Sequence, residues 1–184
     1  VNDLQKIEQI PAMVDQVVSH YGTIDILVNN AGATWGAKAE EYPDEAWHKV
    51  MDLNVNALFF LTQAVGRRCM IPRRAGKIVN IASTIGLVGL ALRSPYAASK
   101  GAVVQMTKTL GLELAAWNIT VNAICPGPFL TPMNVPIAET EDAKKNVVGA
   151  VAFQRWGRME EIQGAAIFLA SDASELVTGH IVMC

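Results

Sequence analysis

Apolar positions along this chain follow two alternating rhythms. Short β-branched runs end abruptly in small or polar residues. Longer segments between them repeat apolar side chains every three or four positions. Residues 24–28, Ile-Asp-Ile-Leu-Val, form one short run and break at Asn29-Asn30-Ala31-Gly32. Gly76–Ile81 forms a second and leads to Ala82-Ser83-Thr84. Residues 119–124 form a third, stopped by Pro126-Gly127, and residues 180–183 begin a fourth. Short apolar strands separated by helical segments predict βαβ units and a buried parallel sheet, an α/β fold.

The helical segments carry recognisable ends. Pro43 suits a first helical position, with Asp44 and Glu45 in the first turn. Trp47, Val50, Met51, Leu58, Leu61 and Val65 then recur as one apolar face, and Asn54 falls on that same face. A second helix is predicted over 95–117, with Asn118 ending it in a left-handed conformation. Residues 13–20 and 160–169 predict two more, and Gly22 stops the first of these.

Composition narrows the class. The 184 residues are 51% hydrophobic and 17% charged, which suits a single domain over 1–184 with a real core. The net charge is −2 and no basic stripe is visible, so nucleic acid is not an expected partner. Arg67-Arg68 and Arg73-Arg74 read as a solvated helix end and loop. No apolar run approaches the roughly 20 residues of a membrane span, and no charged-then-apolar leader opens the chain. Three cysteines at 69, 125 and 184 fit no metal pattern. Neither do His20, His48 and His180. Reduced thiols in a cytoplasmic protein are the expectation.

Candidate chemistry lies where the strands end. In open parallel sheets, ligands bind beyond the carboxyl ends of the strands. Small residues at Asn30-Ala31-Gly32 admit a ring or sugar close to the backbone. Ser83 follows the second run, and Pro126-Gly127 with Thr131 follow the third. Thirteen residues after Ser83 comes Tyr96, and Lys100 lies one helical turn further on the same face. A free tyrosine titrates near pH 10 and is a poor acid or base at neutrality; a neighbouring ammonium favours the phenolate. Tyr96 is then a candidate general acid/base, with Ser83 holding a carbonyl or hydroxyl beside it. A Tyr-x-x-x-Lys match alone arises by accident in roughly one such chain in eight. It gains weight because Ser83 and the small residues fall where a parallel-sheet site needs them.

With these residues the chain resembles the short-chain dehydrogenase/reductase family. Asn29-Asn30-Ala31-Gly32, Asn54, Ser83, Tyr96-Ala97-Ala98-Ser99-Lys100 and Pro126-Gly127 are similar to its motifs in order and spacing. The resemblance implies a Rossmann-type doubly wound parallel sheet in three α/β/α layers, here incomplete at both ends. It implies NAD or NADP as hydride carrier and interconversion of a secondary alcohol and a ketone. It also implies roles: Tyr96 as acid/base, Ser83 orienting substrate, Lys100 lowering the tyrosine pKa and holding the nicotinamide ribose, and Asn54 in a water-linked proton relay. A buried amide bonding the backbone is the plainer reading of Asn54. By the same resemblance Asn30, Ala31, Gly32, Tyr96, Lys100, Pro126, Gly127, Phe129 and Thr131 line the cofactor, Phe129 through its backbone.

One part of the pattern is missing. The family's first strand and glycine-rich turn, which receives the pyrophosphate, has no counterpart in these residues, and residue 1 is Val. We expect that segment outside the sequence at hand, and expect these residues alone to bind dinucleotide poorly. Residues 126–134 and Arg155-Trp156-Gly157-Arg158 look most like gluconate and sugar dehydrogenases, with 3-oxoacyl carrier-protein reductases close behind. Expected substrates are therefore sugar-acid, polyol or 3-oxoacyl compounds. Arg93 reads as a solvated arginine or a contact for an acidic substrate. Trp35 and Met133 are pocket or core residues, and Cys125 a small buried one. The small residues Ala97, Ala98, Gly101 and Ala102 permit the subunit contacts seen in relatives, hence a homodimer or homotetramer. A non-catalytic scaffold and a sugar-nucleotide epimerase or dehydratase are the alternatives.

Overall fold

The computed structural model describes residues 2–132, 134–135, 138–141 and 143–184, without the side chain of residue 146. Four strands form where the apolar runs predict them: β1 (Ile26–Asn29), β2 (Gly76–Ile81), β3 (Ile119–Cys125) and β4 (Ile181–Met183). All pair in parallel, in the order β1-β2-β3-β4, one direction across the described residues. Helix α1 (Ile10–Tyr21) precedes the sheet. A long helical run joins β1 to β2 and comprises α2 (Asp44–Met51), α3 (Leu58–Val65) and α4 (Ile71–Arg73). Helix α5 (Ser94–Ala115) joins β2 to β3, and α6 (Glu160–Ala170) lies between β3 and β4.

Helices cover both faces, which is the expected three-layer α/β/α architecture. On one face Leu27, Ile78 and Val121 pack with Ile10 and Val14 of α1 and Val65 of α3. Beside them Ala82, Ala123 and Cys125 meet Leu58 of α3 and Val103 and Val104 of α5. On the other face Val79 and Ile124 pack against Leu169 of α6. β1 departs from the expectation of a strand buried on both faces. It is the edge of this sheet, and Ile26 and Val28 are 45% and 49% exposed.

Helix ends follow their signals. Gly22 takes φ 85° and its N–H closes on Val18 O at 2.8 Å. Asn118 adopts φ 54° after α5, as predicted. Two features were not predicted. The run from Asp44 does not stop near Val65 but continues through Pro72 to Arg73, and it widens into π turns at Asp52–Ala57 and Gly66–Met70. Trp47, placed on the apolar face by its spacing, is 44% exposed, while Val50, Leu58 and Val65 are buried. Arg68 and Arg73 are exposed, as read, yet each holds an acid: Asp15 at 2.8 Å and Asp25 at 2.6 Å.

A chain of buried amides and hydroxyls runs through the first core face. Asn29 Nδ2 donates to Thr62 Oγ1 and to Asn80 Oδ1. Asn80 Nδ2 donates to Thr107 Oγ1, whose hydroxyl donates to Val103 O. Asn80 and Thr107 are fully buried. Every link is satisfied, so the chain ties α3, β1, β2 and α5 into one register just below the strand ends.

Candidate active site

The carboxyl ends of β1, β2 and β3 open toward the N-terminal half of α5. Ser83 lies two residues beyond β2, and its Oγ accepts the Ile85 N–H at 3.2 Å, capping a single 3-10 turn (Thr84–Gly86). That turn rests directly on α5. A Cβ built on Gly86 would stand 2.5 Å from Lys100 C and 2.7 Å from Lys100 O. Only glycine allows this approach, and it sets Ser83 against the helix face that carries Tyr96 and Lys100. Pro126 O, at the end of β3, accepts Thr84 N–H at 3.1 Å and fixes the turn from its other side.

The Ser83 hydroxyl lies near enough to the Tyr96 hydroxyl to favour its phenolate. Burial pushes the Tyr96 hydroxyl above its ordinary value near 10, and the nearby Ser83 hydroxyl and the Arg93 charge pull it back. Lys100 Nζ lies 5.8 Å from the Tyr96 ring centroid. The expectation that Lys100 lowers the tyrosine meets a different balance here, because Ser83 and Arg93 are the groups that oppose burial. Lys100 is itself 5% exposed, and burial lowers its ammonium to about 8. Nζ donates to Ile81 O at 2.7 Å.

Asn54 is 1% exposed and sits in the π turn after α2. Such turns re-aim single side chains and recur at functional sites. Its Oδ1 accepts Ala33 N–H at 2.8 Å, and its Nδ2 donates to Ala33 O and to Ser99 Oγ, both at 2.9 Å. Ser99 in turn donates to Tyr96 O at 2.8 Å. The amide therefore splices the segment after β1 to α5. Gly32 fills the remaining gap with bare backbone: a Cβ there would lie 3.4 Å from Asn54 Oδ1 and 3.6 Å from Lys100 Nζ.

Ser83, Tyr96, Lys100, Asn54 and Gly32 thus converge. Asn30 and Ala31 are exposed on the segment beside them, and Asn30 N–H donates to Val28 O at 3.1 Å. Gly127 N–H donates to Cys184 O at 2.7 Å. Phe129 is buried, pairs with Gly157, and accepts at its carbonyl from Asn134 Nδ2 at 2.8 Å. Thr131 is half-buried one turn further, its carbonyl accepting from Asn134 and Val135. The turn opposite Phe129 is held by Glu161, which takes Arg155 in a bidentate pair and the Arg158 N–H. Trp35 is 43% exposed, and its carbonyl accepts the Tyr42 hydroxyl. Met133 lies outside the described residues. Cys125 is fully buried, and burial pushes its thiol up, with the Ser83 backbone opposing that shift. No cysteine among the three is paired in a disulfide. Among the described residues no cluster of potential metal ligands occurs, and no helix is long and apolar enough to cross a membrane.

Two contributors were missed in the sequence. The Gly86 contact had no local signal beyond a lone glycine. The amide chain through Asn80 and Thr107 was hidden because polar residues in a strand and a helix give no hint that they meet.

A family model described as enoyl-(acyl carrier protein) reductase matches residues 1–184. A 2-dehydro-3-deoxy-D-gluconate 5-dehydrogenase of Bacillus subtilis (strain 168) is 46% identical over 159 residues, 86% of this chain. The chain spans 62% of that relative's length, less than two thirds. A 3-oxoacyl-[acyl-carrier-protein] reductase of Thermotoga maritima is 42% identical over 175 residues, 95% of this chain and 70% of that one. Among solved structures, a gluconate 5-dehydrogenase from Burkholderia cenocepacia J2315 in complex with NADP and tartrate superposes with a TM-score of 0.96. It shares 37% identity and covers 100% of this chain and 72% of its own.

Proposed function

The chain belongs to the short-chain dehydrogenase/reductase family, and from that premise we propose that it carries the proton-transfer centre of an NAD- or NADP-dependent oxidoreductase acting on a sugar acid. The reaction interconverts a secondary alcohol and a ketone. The single observation that carries the reading is the convergence of Ser83 and Tyr96 on the buried Lys100 ammonium, which lies 5.8 Å from the Tyr96 ring and donates to Ile81 O at the end of β2. Sugar-acid dehydrogenases among the relatives and structural neighbours support the substrate class.

The residues present fit a dinucleotide. The side-chain-free gap at Gly32, between Asn54 Oδ1 and Lys100 Nζ, is a cradle that a Cβ would fill. Lys100 engages one of its three donors on Ile81 O and keeps two for sugar hydroxyls. Asn30, Ala31, Gly32, Lys100 and the backbone of Pro126, Gly127, Phe129 and Thr131 would hold it. When bound, that group donates or accepts the hydride at the substrate carbon.

The chain's own residues handle the proton. Burial keeps Tyr96 a phenol at neutral pH, ready to give its proton to the oxygen of a carbonyl being reduced. In the oxidative direction the tyrosine oxygen takes the proton of the alcohol. Ser83, beside that hydroxyl, fixes the substrate oxygen against it. Asn54 holds the segment after β1 to α5, so that Gly32 stays beside Lys100. Both its amide hydrogens are engaged, and Oδ1 already accepts from Ala33 N–H, so the side chain could only anchor a relay water through the second lone pair of Oδ1.

We take the enzyme to be a cytoplasmic homodimer or homotetramer. Phe60 and Leu112, on the helices that follow Asn54 and Tyr96, are 39% and 81% exposed and suit a subunit contact. The test is absorbance at 340 nm with full-length protein, NADH or NADPH, and a panel of oxidised sugar acids, polyol-derived ketones and 3-oxoacyl thioesters. Turnover of a sugar acid supports the reading. No turnover on any substrate, with no dinucleotide binding, refutes it.

A further inference from the structure

Leu92 holds a backbone conformation that side chains of its size rarely adopt, φ 64°. Its carbonyl accepts the Ala37 N–H at 3.2 Å, which fastens the loop before α5 onto the segment after β1. The next residue, Arg93, lays its guanidinium on Gly36: a Cβ there would fall 2.9 Å from Arg93 Cζ. A Cβ at position 36 would displace the guanidinium from that seat. The side chain is half-buried, and its charge reaches both the Tyr96 and Tyr42 hydroxyls. Yet Arg93 joins none of the ion pairs among the described residues. A strained turn, a bare glycine and an unpaired cation beside the acid/base together make a positioned half of an ion pair. The planar guanidinium fork matches a carboxylate through two parallel hydrogen bonds.

We propose that Arg93 is the specificity-determining residue that grips the carboxylate of the sugar acid, while Ser83 and Tyr96 hold the oxygen at its reacting carbon. The inference rests on the oxidoreductase reading and adds which end of the substrate the protein recognises. It gives a reason for the glycine at 36, and it separates sugar acids from polyols, which lack the anion.

The test compares kcat and KM of the full-length protein for 5-keto-D-gluconate and for its uncharged methyl ester, in wild type, Arg93→Met, Arg93→Lys and Gly36→Ala. Binding of D-gluconate is followed in parallel by titration calorimetry with the dinucleotide present. Wild type should prefer the acid over the ester by about ten- to a hundredfold, the range for a hydrogen bond to a charged group. Arg93→Met should erase most of that preference through KM for the acid and weaken D-gluconate binding in step. Arg93→Lys should retain part of it. Gly36→Ala keeps the charge but displaces it, and should raise KM for the acid several-fold; this variant and Arg93→Lys decide the matter if Arg93→Met does not fold. An unchanged preference in the Arg93 variants overturns the inference. So does an equal loss on acid and ester with a moved pH profile, which would mean that Arg93 acts only on Tyr96. Turnover of acetoacetyl-coenzyme A with neither sugar substrate overturns the inference and leaves the oxidoreductase reading standing. No turnover of any kind overturns both.

Discussion

Replacing Lys100 by Met should stabilise the protein at neutral pH while abolishing its chemistry. The ammonium is 5% exposed and has one protein partner, Ile81 O at 2.7 Å. Burial brings it from 10.5 to about 8, which corresponds to about 3 kcal/mol against the charged form in the folded state. Methionine removes that penalty with a chain of similar length. It also leaves Ile81 O without its donor, which returns about 1–3 kcal/mol. The net gain at pH 7 is then about 1 kcal/mol. The pH dependence is the sharper signature. Between about pH 8 and 10.5 the unfolded chain binds a proton at this lysine that the folded chain has released, so wild-type stability rises with pH across that window. The variant lacks this rise. Urea unfolding of both proteins at intervals from pH 7 to 10.5 should therefore show the wild type gaining about 3 kcal/mol on the variant. A difference that stays constant with pH, or a variant much less stable than wild type at pH 7, would refute the buried-ammonium reasoning. Loss of activity with retained stability is the pattern of a residue kept for function.

Three further perturbations probe the supports of the site. Gly86→Ala places a methyl against the backbone of Lys100, which cannot yield; it should cost about 1–3 kcal/mol and lower kcat by shifting Ser83 from Tyr96, and unchanged melting and turnover would remove Gly86 from the account. Asn80→Ala strips partners from Asn29 and Thr107; chemical unfolding should show a loss of about 2–5 kcal/mol, whereas a loss below about 1 kcal/mol would mean the amide chain is slack. The Arg155 guanidinium and the Arg158 N–H hold the Glu161 carboxyl down to about 2. Its contribution is present above the ordinary carboxylate range and is lost as pH falls through about 2. Glu161→Gln should speed hydrogen exchange at Leu130 and Gly157, whose amides belong to the Phe129 pairing, and a carboxyl titrating near 4 in the wild type would contradict the clamp.

The strands were legible because their short, β-branched, largely apolar runs end abruptly in small or polar residues. β2 was bounded to the residue, and the other three shifted by only one or two positions. Asn118 and Gly22 were legible as stops because few residues tolerate a positive φ. The extension through Gly66–Arg73 was not, since a proline near a helix end reads as a stop, whereas Pro72 here occupies a first-turn position in the short α4. The π turn that aims Asn54 left only one trace, an amide on an apolar face. Ser83, Tyr96 and Lys100, the proposed catalytic residues, were legible because they follow a strand end or share a helix face, and local spacing reports both. The supports were not. The Gly86–Lys100 and Gly36–Arg93 contacts join segments far apart in sequence, and a glycine carries no mark of what presses against it. Arg93 shows the same limit: alone it reads as a solvated charge, and only the fold sets it beside Tyr96.

The central claim is that Tyr96 moves the proton. Tyr96→Phe keeps the ring and removes one oxygen, so the most direct measurement is kcat of full-length wild type and variant on the same sugar acid, alongside melting temperature and dinucleotide binding. The account predicts a fall of about 10²- to 10⁴-fold with folding and binding retained. Turnover within a few-fold of wild type would contradict it.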